Sequence, residues 1–149
     1  MRKARVLLDS NILLRWLEPE QPDQIIVKRA LERLLVADAD LCYTSQNLGE
    51  FWNALTRRTN RNGYGLSPAQ AHLRAPAVES KITLLPDTPD VHTEWRKLLV
   101  THCVSGTQVH DARLVASMHI HGVERILTFN KRDFARFPDI KTVNPADLS

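Results

Sequence analysis

Apolar and polar residues alternate along the chain in a way that predicts short strands separated by helices. Residues 4–8 form an apolar run that ends in a polar turn starting at Asp9, which is typical of a buried strand. Apolar positions then recur at helical spacing over residues 11–17, and Pro19 disfavours helix beyond them. The same spacing over residues 24–37, with charged residues on the opposite side, predicts an amphipathic helix.

The rest of the chain repeats this pattern, and several of its helices have strong start signals. Ser45 and the pair Ser67-Pro68 are each expected to begin a helix, and Pro76 is expected to bend or divide the second helix. The predicted strands cover residues 40–44, 82–85, 125–129 and 141–143. The predicted helices cover residues 46–58, 68 onward, 89–99 and 111–121, and the segments 60–65, 104–108 and 130–137 are expected to be loops or polar connections.

The order of these elements indicates the fold class. Strands that alternate with helices of this length need crossover connections, which make the strands parallel and cover both faces of the sheet. The pattern therefore predicts an α/β fold with a mostly parallel central sheet. The chain has no internal repeat, no low-complexity segment and no linker rich in proline, glycine or serine. Residues 1–149 are therefore expected to form a single domain.

The composition excludes several classes of protein. The chain has 149 residues, of which 43% are hydrophobic and 25% charged, as in an ordinary globular domain. Its apolar runs are far shorter than the roughly 18 residues of a membrane span, and Asp9 and Arg15 interrupt any signal-peptide core. We therefore expect a cytoplasmic protein without a membrane partner. Cys42 and Cys103 lack metal-ligand spacing and are expected to be buried, reduced thiols.

The placement of the acidic residues is more informative than the net charge of +3, which favours a nucleic-acid partner only weakly. Asp9 follows the first predicted strand, and Glu50 lies about one turn into the helix after the second. Asp111 opens a predicted helix, and Asn130 and Asp133 follow the strand that comes after it. Any one such acid is more often a cap or turn residue. Ligands of parallel sheets bind beyond the carboxyl ends of the strands, so together these residues predict an acidic pocket.

A pocket of carboxylates implies a cation. Clustered carboxylates repel one another and resist desolvation unless a proton or a cation compensates them. Hard oxygen ligands suit Mg²⁺ or Mn²⁺. Such an ion can lower the pKa of its bound water and polarise a phosphate, which is the chemistry of metal-dependent phosphodiester hydrolysis.

Four segments that contain these acids resemble, in order, the four motifs of PIN-domain proteins, and most closely those of VapC-like toxins of bacterial toxin–antitoxin pairs. Each motif is short, but together they span nearly the whole chain in the family's order. The segments are VLLDSNILL at residues 6–14, NLGEFW at residues 47–52, HDARLVA at residues 110–116 and LTFNKRDF at residues 127–134.

The resemblance implies a three-layer α/β/α sandwich and a Mg²⁺- or Mn²⁺-dependent endoribonuclease activity. Asp9, Glu50 and Asp111 correspond to the family's first three acidic metal ligands. Many members have an acid at the place of Asn130 and a second acid at the place of Asp133, so either residue is expected to complete the site here. Because Asn130 carries no charge, we expect the site to bind a second metal ion more weakly. The family also implies a homodimer and a small antitoxin whose peptide covers the acidic pocket.

Residues beside the acids are candidates for supporting roles. Asn11 is expected to donate to a carboxylate or to its own turn, and Thr128 to bond a ligand carboxylate or to stabilise the sheet. Basic residues near an acidic pocket can hold the flanking phosphates of a phosphodiester substrate. The basic residues in or near the acidic motifs are Arg15, Arg57, Arg58, Arg61, Arg113, Lys131 and Arg132. Of these, Arg15, Arg113 and Lys131 are expected to bind the substrate.

Other polar and aromatic residues near the motifs have simpler structural explanations. Ser45 and Gln46 fit helix capping. His110 is not expected to act as a general base, because neighbouring residues of a helix point apart. The three tryptophans lie on apolar helix faces and are expected to pack in the core or a subunit interface; they are Trp16, Trp52 and Trp95.

The sequence favours a metal-dependent endoribonuclease that cleaves single-stranded or loop RNA by attack of a metal-activated water. Its expected catalytic residues are Asp9, Glu50, Asp111 and Asp133, and its expected metal ligands are Asp9, Glu50, Asp111 and Asn130.

Two alternatives to this function stay open. A phosphatase resembling haloacid dehalogenases also places an Asp after its first strand, but it expects a second acid where this chain has Asn11. A PIN domain with weak or lost catalysis would serve only as an RNA- or protein-binding module. The three retained acids argue against that interpretation, and Asn130 favours it.

Overall fold

A sheet of five parallel strands lies at the centre of the computed structural model, which describes residues 3–18 and 22–148. The first strand is in the middle of the sheet, and the order is β3-β2-β1-β4-β5. Leu8 of β1 pairs with Leu127 of β4, so the carboxyl ends of these two strands lie side by side. The strands are β1 (Arg5–Leu8), β2 (Asp40–Thr44), β3 (Thr83–Leu85), β4 (Arg125–Leu127) and β5 (Lys141–Val143).

Six helices of the described residues connect the strands and cover the sheet. Short 3₁₀ turns add to them at Thr59–Arg61, Lys131–Phe134 and Pro145–Asp147. The first helix ends at Leu17, and Pro19, which was expected to limit it, lies outside the described residues. The helices are α1 (Ser10–Leu17), α2 (Gln24–Val36), α3 (Ser45–Thr56), α4 (Pro68–Glu79), α5 (Pro89–Thr101) and α6 (Gln108–His121).

The alternation of side chains along β1 separates two hydrophobic cores. Val6 and Leu8 pack with α1 to α4 on one face, whereas Leu7 packs with α5 and α6 on the other. The sheet is therefore the middle of three layers, which confirms the predicted α/β/α sandwich. Among the described residues, no helix is long and apolar enough to cross a membrane.

The start of α3 differs from the prediction by one residue. Thr44, not Ser45, is the N-cap: its backbone is extended, and its Oγ1 accepts a hydrogen bond from Asn47 N at 3.1 Å. Asn47 Oδ1 in turn accepts one from Thr44 N at 2.9 Å, which completes a capping box. The last residue of β2 thus already provides the cap, so Ser45 is the first helical residue and is exposed.

Other boundaries also depend on contacts that local patterns do not show. Pro76 does not divide α4, which runs through it to Glu79. The helix α6 begins three residues before Asp111, so this acid lies in its first turn and does not open it. The segment 130–137, expected to be a polar connection, buries Phe134 and Phe137 in the core beside α6.

The two cysteines have different environments. Cys42 of β2 is fully buried, as expected. Cys103 is exposed, so the expectation that both thiols are buried is wrong. The reason is local, because Cys103 lies in the turn after α5, with φ of 51°.

Removing the capping hydroxyl of Thr44 tests how α3 begins. Thr44→Val keeps the shape of a buried side chain but takes the acceptor away from Asn47 N, so we expect the free energy of unfolding in urea to fall by about 1–2 kcal/mol. Ser45→Ala is the matched control and should change it by less than about 0.5 kcal/mol. Equal losses in the two variants would contradict the assignment of the cap to Thr44.

Candidate active site

An acidic cleft of about 270 Å³ opens at the carboxyl ends of β1 and β4. Its four carboxylates come from four different parts of the chain: the end of β1, α3, α6 and the 3₁₀ turn after β4. The structure therefore brings together the acids that the sequence placed near strand ends. The residues that define the acidic cleft are Asp9, Ser10, Asn11, Glu50, Asp111, Asn130 and Asp133.

Asp9 is the most firmly held of these acids. It is only 7% exposed and caps α1, with Oδ1 accepting a hydrogen bond from Ser10 N at 2.8 Å. Oδ2 accepts one from the buried Thr128 hydroxyl at 2.8 Å. Burial raises the pKa of the Asp9 carboxyl, the two hydrogen bonds lower it, and nearby Asp133 raises it further. Thr128 thus makes the carboxylate contact that was expected of it.

Glu50 reaches the cleft from α3 and is positioned by Gln46, one turn earlier. Gln46 Nε2 donates to Glu50 Oε1 at 3.1 Å and to the backbone carbonyl of His110 at 2.8 Å, which ties α3 to the first turn of α6. Ser10 Oγ lies 3.5 Å from Glu50 Oε2. Burial raises the pKa of the Glu50 carboxyl, and the hydrogen bond from Gln46 opposes that shift.

Asp111 is the acid whose protonation the cleft perturbs most clearly. Its pKa is raised from 3.8 to about 7, first by partial burial and then by the carboxylates of Asp133, Asp9 and Glu50, while Arg136 opposes the shift. The cleft therefore holds more negative charge than its own residues compensate.

Asn130 and Asp133 both line the cleft from the segment after β4. Asn130 N donates to Thr128 Oγ1 at 2.9 Å, so the same hydroxyl positions Asp9 and the start of this segment. Asp133 belongs to the 3₁₀ turn that the buried Phe134 anchors in the core. It lines the same cleft as Asp9 and Asp111, and its negative charge raises the pKa of both.

The donor set of the cleft fits a hard divalent cation in its chemistry. All its candidate ligands are carboxylate or amide oxygens, which Mg²⁺ and Mn²⁺ prefer. Asn11 Oδ1 is buried without a hydrogen-bond donor, so an oxygen in the cleft wall is free to accept one. Within residues 3–18 and 22–148, however, no three His, Cys, Asp or Glu side chains already converge on one point that an ion could occupy.

The three predicted substrate-binding residues lie in different places. Arg15 lies beside the cleft, in a neighbouring pocket that shares part of its wall. Arg113 is turned away from the cleft, where its Nη2 lies 3.2 Å from Asp87 Oδ2. Lys131 is exposed in the 3₁₀ turn and is not among the residues lining the cleft.

Sequence reasoning missed three polar residues that the cleft contains or depends on. Ser10 and Asn53 line the cleft, and Gln46 holds Glu50. The spacing of four residues between Gln46 and Glu50 on a helix was a usable signal for their contact. The positions of Ser10 and Asn53 depend on how α1 and α3 pack, and no local pattern shows this.

A sandwich of this kind, with acids gathered beyond the carboxyl ends of parallel strands, places the chain among α/β proteins that bind ligands at this edge of the sheet. The family model of the PIN domain matches residues 6–140, so the chain belongs to the PIN domain family. No curated protein sequence matches the chain.

Solved structures of bacterial proteins share the fold. VapBC2 from Rickettsia felis, bound to a promoter DNA fragment, has a TM-score of 0.67 and 15% identity over 94% of this chain and 98% of that one. VapC20 from Mycobacterium tuberculosis, a toxin that cleaves the sarcin–ricin loop, has a TM-score of 0.65 and 19% identity over 89% and 95%. VapBC-1 from nontypeable Haemophilus influenzae has a TM-score of 0.67 and 15% identity over 95% and 98%. At these identities the likeness establishes the fold.

Neutralising Asp111 should stabilise the protein in a pH-dependent way. Because its pKa is raised from 3.8 to about 7, the folded chain binds more protons than the unfolded chain in this window, so stability falls as pH rises through it. In EDTA, we expect Asp111→Asn to raise the free energy of unfolding by about 1–2 kcal/mol near pH 8, after allowance for partial exposure, with no gain near pH 4.

Glu32→Gln is the control for this measurement, because it removes one negative charge from the exposed side of α2. Its effect should stay within about 0.5 kcal/mol. An Asp111→Asn variant that unfolds like the wild type at both pH values would show that the cleft does not raise the pKa of Asp111 as described.

Proposed function

We propose that the chain is a metal-dependent endoribonuclease and the toxin of a toxin–antitoxin pair. The observation that carries this proposal is the acidic cleft, where four carboxylates from separate elements share one opening and repel one another. Such a cluster has a large electrostatic cost unless it serves a cation. Membership of the PIN domain family and the likeness to a toxin that cleaves the sarcin–ricin loop support ribonucleic acid as the substrate.

Asp9, Glu50 and Asp111 would hold a Mg²⁺ or Mn²⁺ ion, and Asn130 or Asp133 would complete the site. When bound, the ion supplies Lewis-acid polarisation of the phosphate and a lowered pKa for water. The reaction consumes one water and breaks one phosphorus–oxygen bond of the RNA backbone.

The other residues of the cleft would orient these groups. Thr128 and the amide of Ser10 keep the two oxygens of Asp9 in fixed positions. Gln46 fixes Glu50 relative to α6. Asn11 lines the cleft, and its buried Oδ1 accepts no hydrogen bond from the described residues.

We further propose an antitoxin protein that covers the acidic cleft, a homodimer, and action in the cytoplasm. The support for a partner is the likeness to VapBC and FitAB assemblies, several of which are toxin–antitoxin complexes. A ribonuclease of this kind must be held inactive until needed, and a peptide across the cleft would exclude both RNA and the ion.

A catalytically inert binding module is the second candidate function. Two observations favour it: Asn130 carries no charge where many relatives have an acid, and no three acids of the described residues converge on one point. Calorimetric titration with Mn²⁺ separates the two functions, because a module without an ion site should show no binding up to millimolar concentrations.

Replacing either Asp9 or Asp111 by asparagine tests the ribonuclease proposal. We expect each variant to lower Mn²⁺-dependent cleavage of RNA by more than about a hundredfold, because a ligand should matter more than the outer partners, whose loss costs about 10–100-fold. The calorimetric Mn²⁺ affinity should fall in parallel. Glu32→Gln should keep both properties.

Cleavage in EDTA, cleavage by Asp9→Asn and Mn²⁺ binding by the wild type together decide between the two candidate functions. Cleavage that survives EDTA, or that is unchanged in Asp9→Asn, would refute a metal site at this cleft. A wild type that neither binds Mn²⁺ up to millimolar concentrations nor cleaves RNA would instead favour the binding module.

A further inference from the structure

A second pocket, of about 380 Å³, lies directly beside the acidic cleft. The two share a wall formed by Leu14, Ala54 and Arg57. The rest of this neighbouring pocket, which we call the Arg57 pocket, is lined by Arg15, Asn62, Gly63 and Tyr64. A chain molecule that lies in the acidic cleft can therefore continue into the Arg57 pocket.

The charge of the Arg57 pocket is opposite to that of the cleft. Among the described residues, two arginines line the pocket and no carboxylate does, whereas four carboxylates line the cleft. In the same part of the chain that the structure describes, Arg57 has no ion-pair partner. Its Nη2 donates to the carbonyl of Asn62 at 3.0 Å, and its buried Nε has no hydrogen-bond acceptor. A guanidinium that lines a pocket without carboxylates and has no counterion is suited to an anionic ligand.

Arg15 is held in place on the other side of this pocket. Its Nη1 donates to the carbonyl of Asn11 at 3.2 Å, and its guanidinium carbon lies 4.9 Å from the centre of the Phe129 ring. Its Nε lies 3.4 Å from Asp23 Oδ2, a contact between partly exposed groups that leaves much of the positive charge available.

The loop after α3 forms the outer wall and is fixed by backbone hydrogen bonds. Tyr64 N donates to the Ala54 carbonyl at 3.1 Å, and Gly65 N donates to the Arg57 carbonyl at 2.9 Å. Gly63 lies so close to Arg57 that a Cβ atom on it would be 2.0 Å from the Arg57 carbonyl oxygen. The loop therefore packs closely against Arg57, one of the two arginines that give the pocket its positive charge.

We propose that the Arg57 pocket binds a backbone phosphate of single-stranded RNA next to the bond cut in the acidic cleft. The inference rests on the proposed function and specifies where the substrate lies. Arg57 provides the main contact to the phosphate oxygens, and Arg15 the second. Tyr64 also lines the pocket, and unpaired bases stack on aromatic side chains.

This assignment differs from the one that sequence position suggests. Arg113 and Lys131 lie within the acidic motifs in sequence, but neither lines the cleft or the Arg57 pocket. Arg57 lies outside the motifs and lines both. Position in the fold therefore selects a different cation as the substrate anchor.

RNA binding without cleavage tests the proposal. The probe is a short fluorescein-labelled single-stranded RNA in EDTA, with its dissociation constant measured by anisotropy over a series of salt concentrations. For Arg57→Gln we expect roughly tenfold weaker binding, as for the loss of a charged hydrogen bond. The salt slope should be smaller by about 0.7, because the variant neutralises one phosphate fewer on a single strand. Arg57→Lys should retain the salt slope and part of the affinity.

Arg96→Gln is the matched control, because it removes the same charge from an exposed position of α5 on the other face of the sheet. It should leave the affinity and the salt slope unchanged. An Arg57→Gln variant that behaves like Arg96→Gln would overturn the proposal, and so would wild-type protein that binds no RNA at any salt concentration. A polyglutamate peptide that depends on Arg57 more strongly than RNA does would assign the pocket to an acidic protein segment instead.

The binding assay keeps this proposal separate from the ribonuclease proposal. If the wild type cleaves no RNA with Mn²⁺ but loses RNA binding on Arg57→Gln, the function of the cleft is wrong and the phosphate site stands. If cleavage depends on Asp9 but RNA binding does not depend on Arg57, the ribonuclease proposal stands and the phosphate site at Arg57 is wrong.

A substitution at Gly63 tests the wall of the pocket without changing any charge. Gly63→Ala must displace the loop from the Arg57 carbonyl, so we expect a lower melting temperature and weaker RNA binding than in the wild type. Gly49→Ala is the control, since a Cβ there meets nothing within 4 Å and alanine favours helix; its melting temperature should not fall. Unchanged RNA binding in a destabilised Gly63→Ala protein would show that the loop does not shape the phosphate site.

Discussion

The hydrogen bond between the Thr128 hydroxyl and Asp9 Oδ2 joins the two parallel strands on which the acidic cleft is built. It is buried, 2.8 Å long, and connects residues 119 positions apart in the sequence. The register of β1 and β4 brings the two strand ends together, and the same hydroxyl accepts from Asn130 N. One small side chain thus positions both the first acid and the segment that carries Asp133. The other acids are arranged around a fixed Asp9.

Electrostatic repulsion within the cleft sets the second constraint. The acids come from different elements, so the packing of α3, α6 and the sheet holds like charges close together against their repulsion. Of the two arginines of the neighbouring pocket, Arg57 forms part of the wall that the pocket shares with the cleft, and Arg15 lines the pocket alone. A nucleic-acid backbone requires the complementary charges. It needs a cation beside the reacting phosphate and basic side chains beside the neighbouring phosphates. The small net charge of the chain hides this separation of charges.

Sequence reasoning predicted the sheet, the six helices of the described residues and the acids of the cleft, because each depends on a local signal. Asp9 and Asn130 follow apolar strands, and a regular helix carries Glu50 to the same edge. The contributions of Gln46 and Arg57 depend on which helices meet, and the exposure of Cys103 depends on a single turn. The cap of α3 was displaced by one residue because the strand and the helix share Thr44.

The central position of β1 in the sheet also determines when the acidic cleft is completed during synthesis of the chain. β1 leaves the ribosome first, yet its neighbour on one side is β4, which begins at Arg125. A nascent chain that ends before β4 has neither Thr128 to hold Asp9 nor the turn that carries Asp133. Closing such distant contacts is slow and comes late in folding. The acidic cleft is therefore complete only after β4 and the turn behind it have been synthesised and have packed against β1.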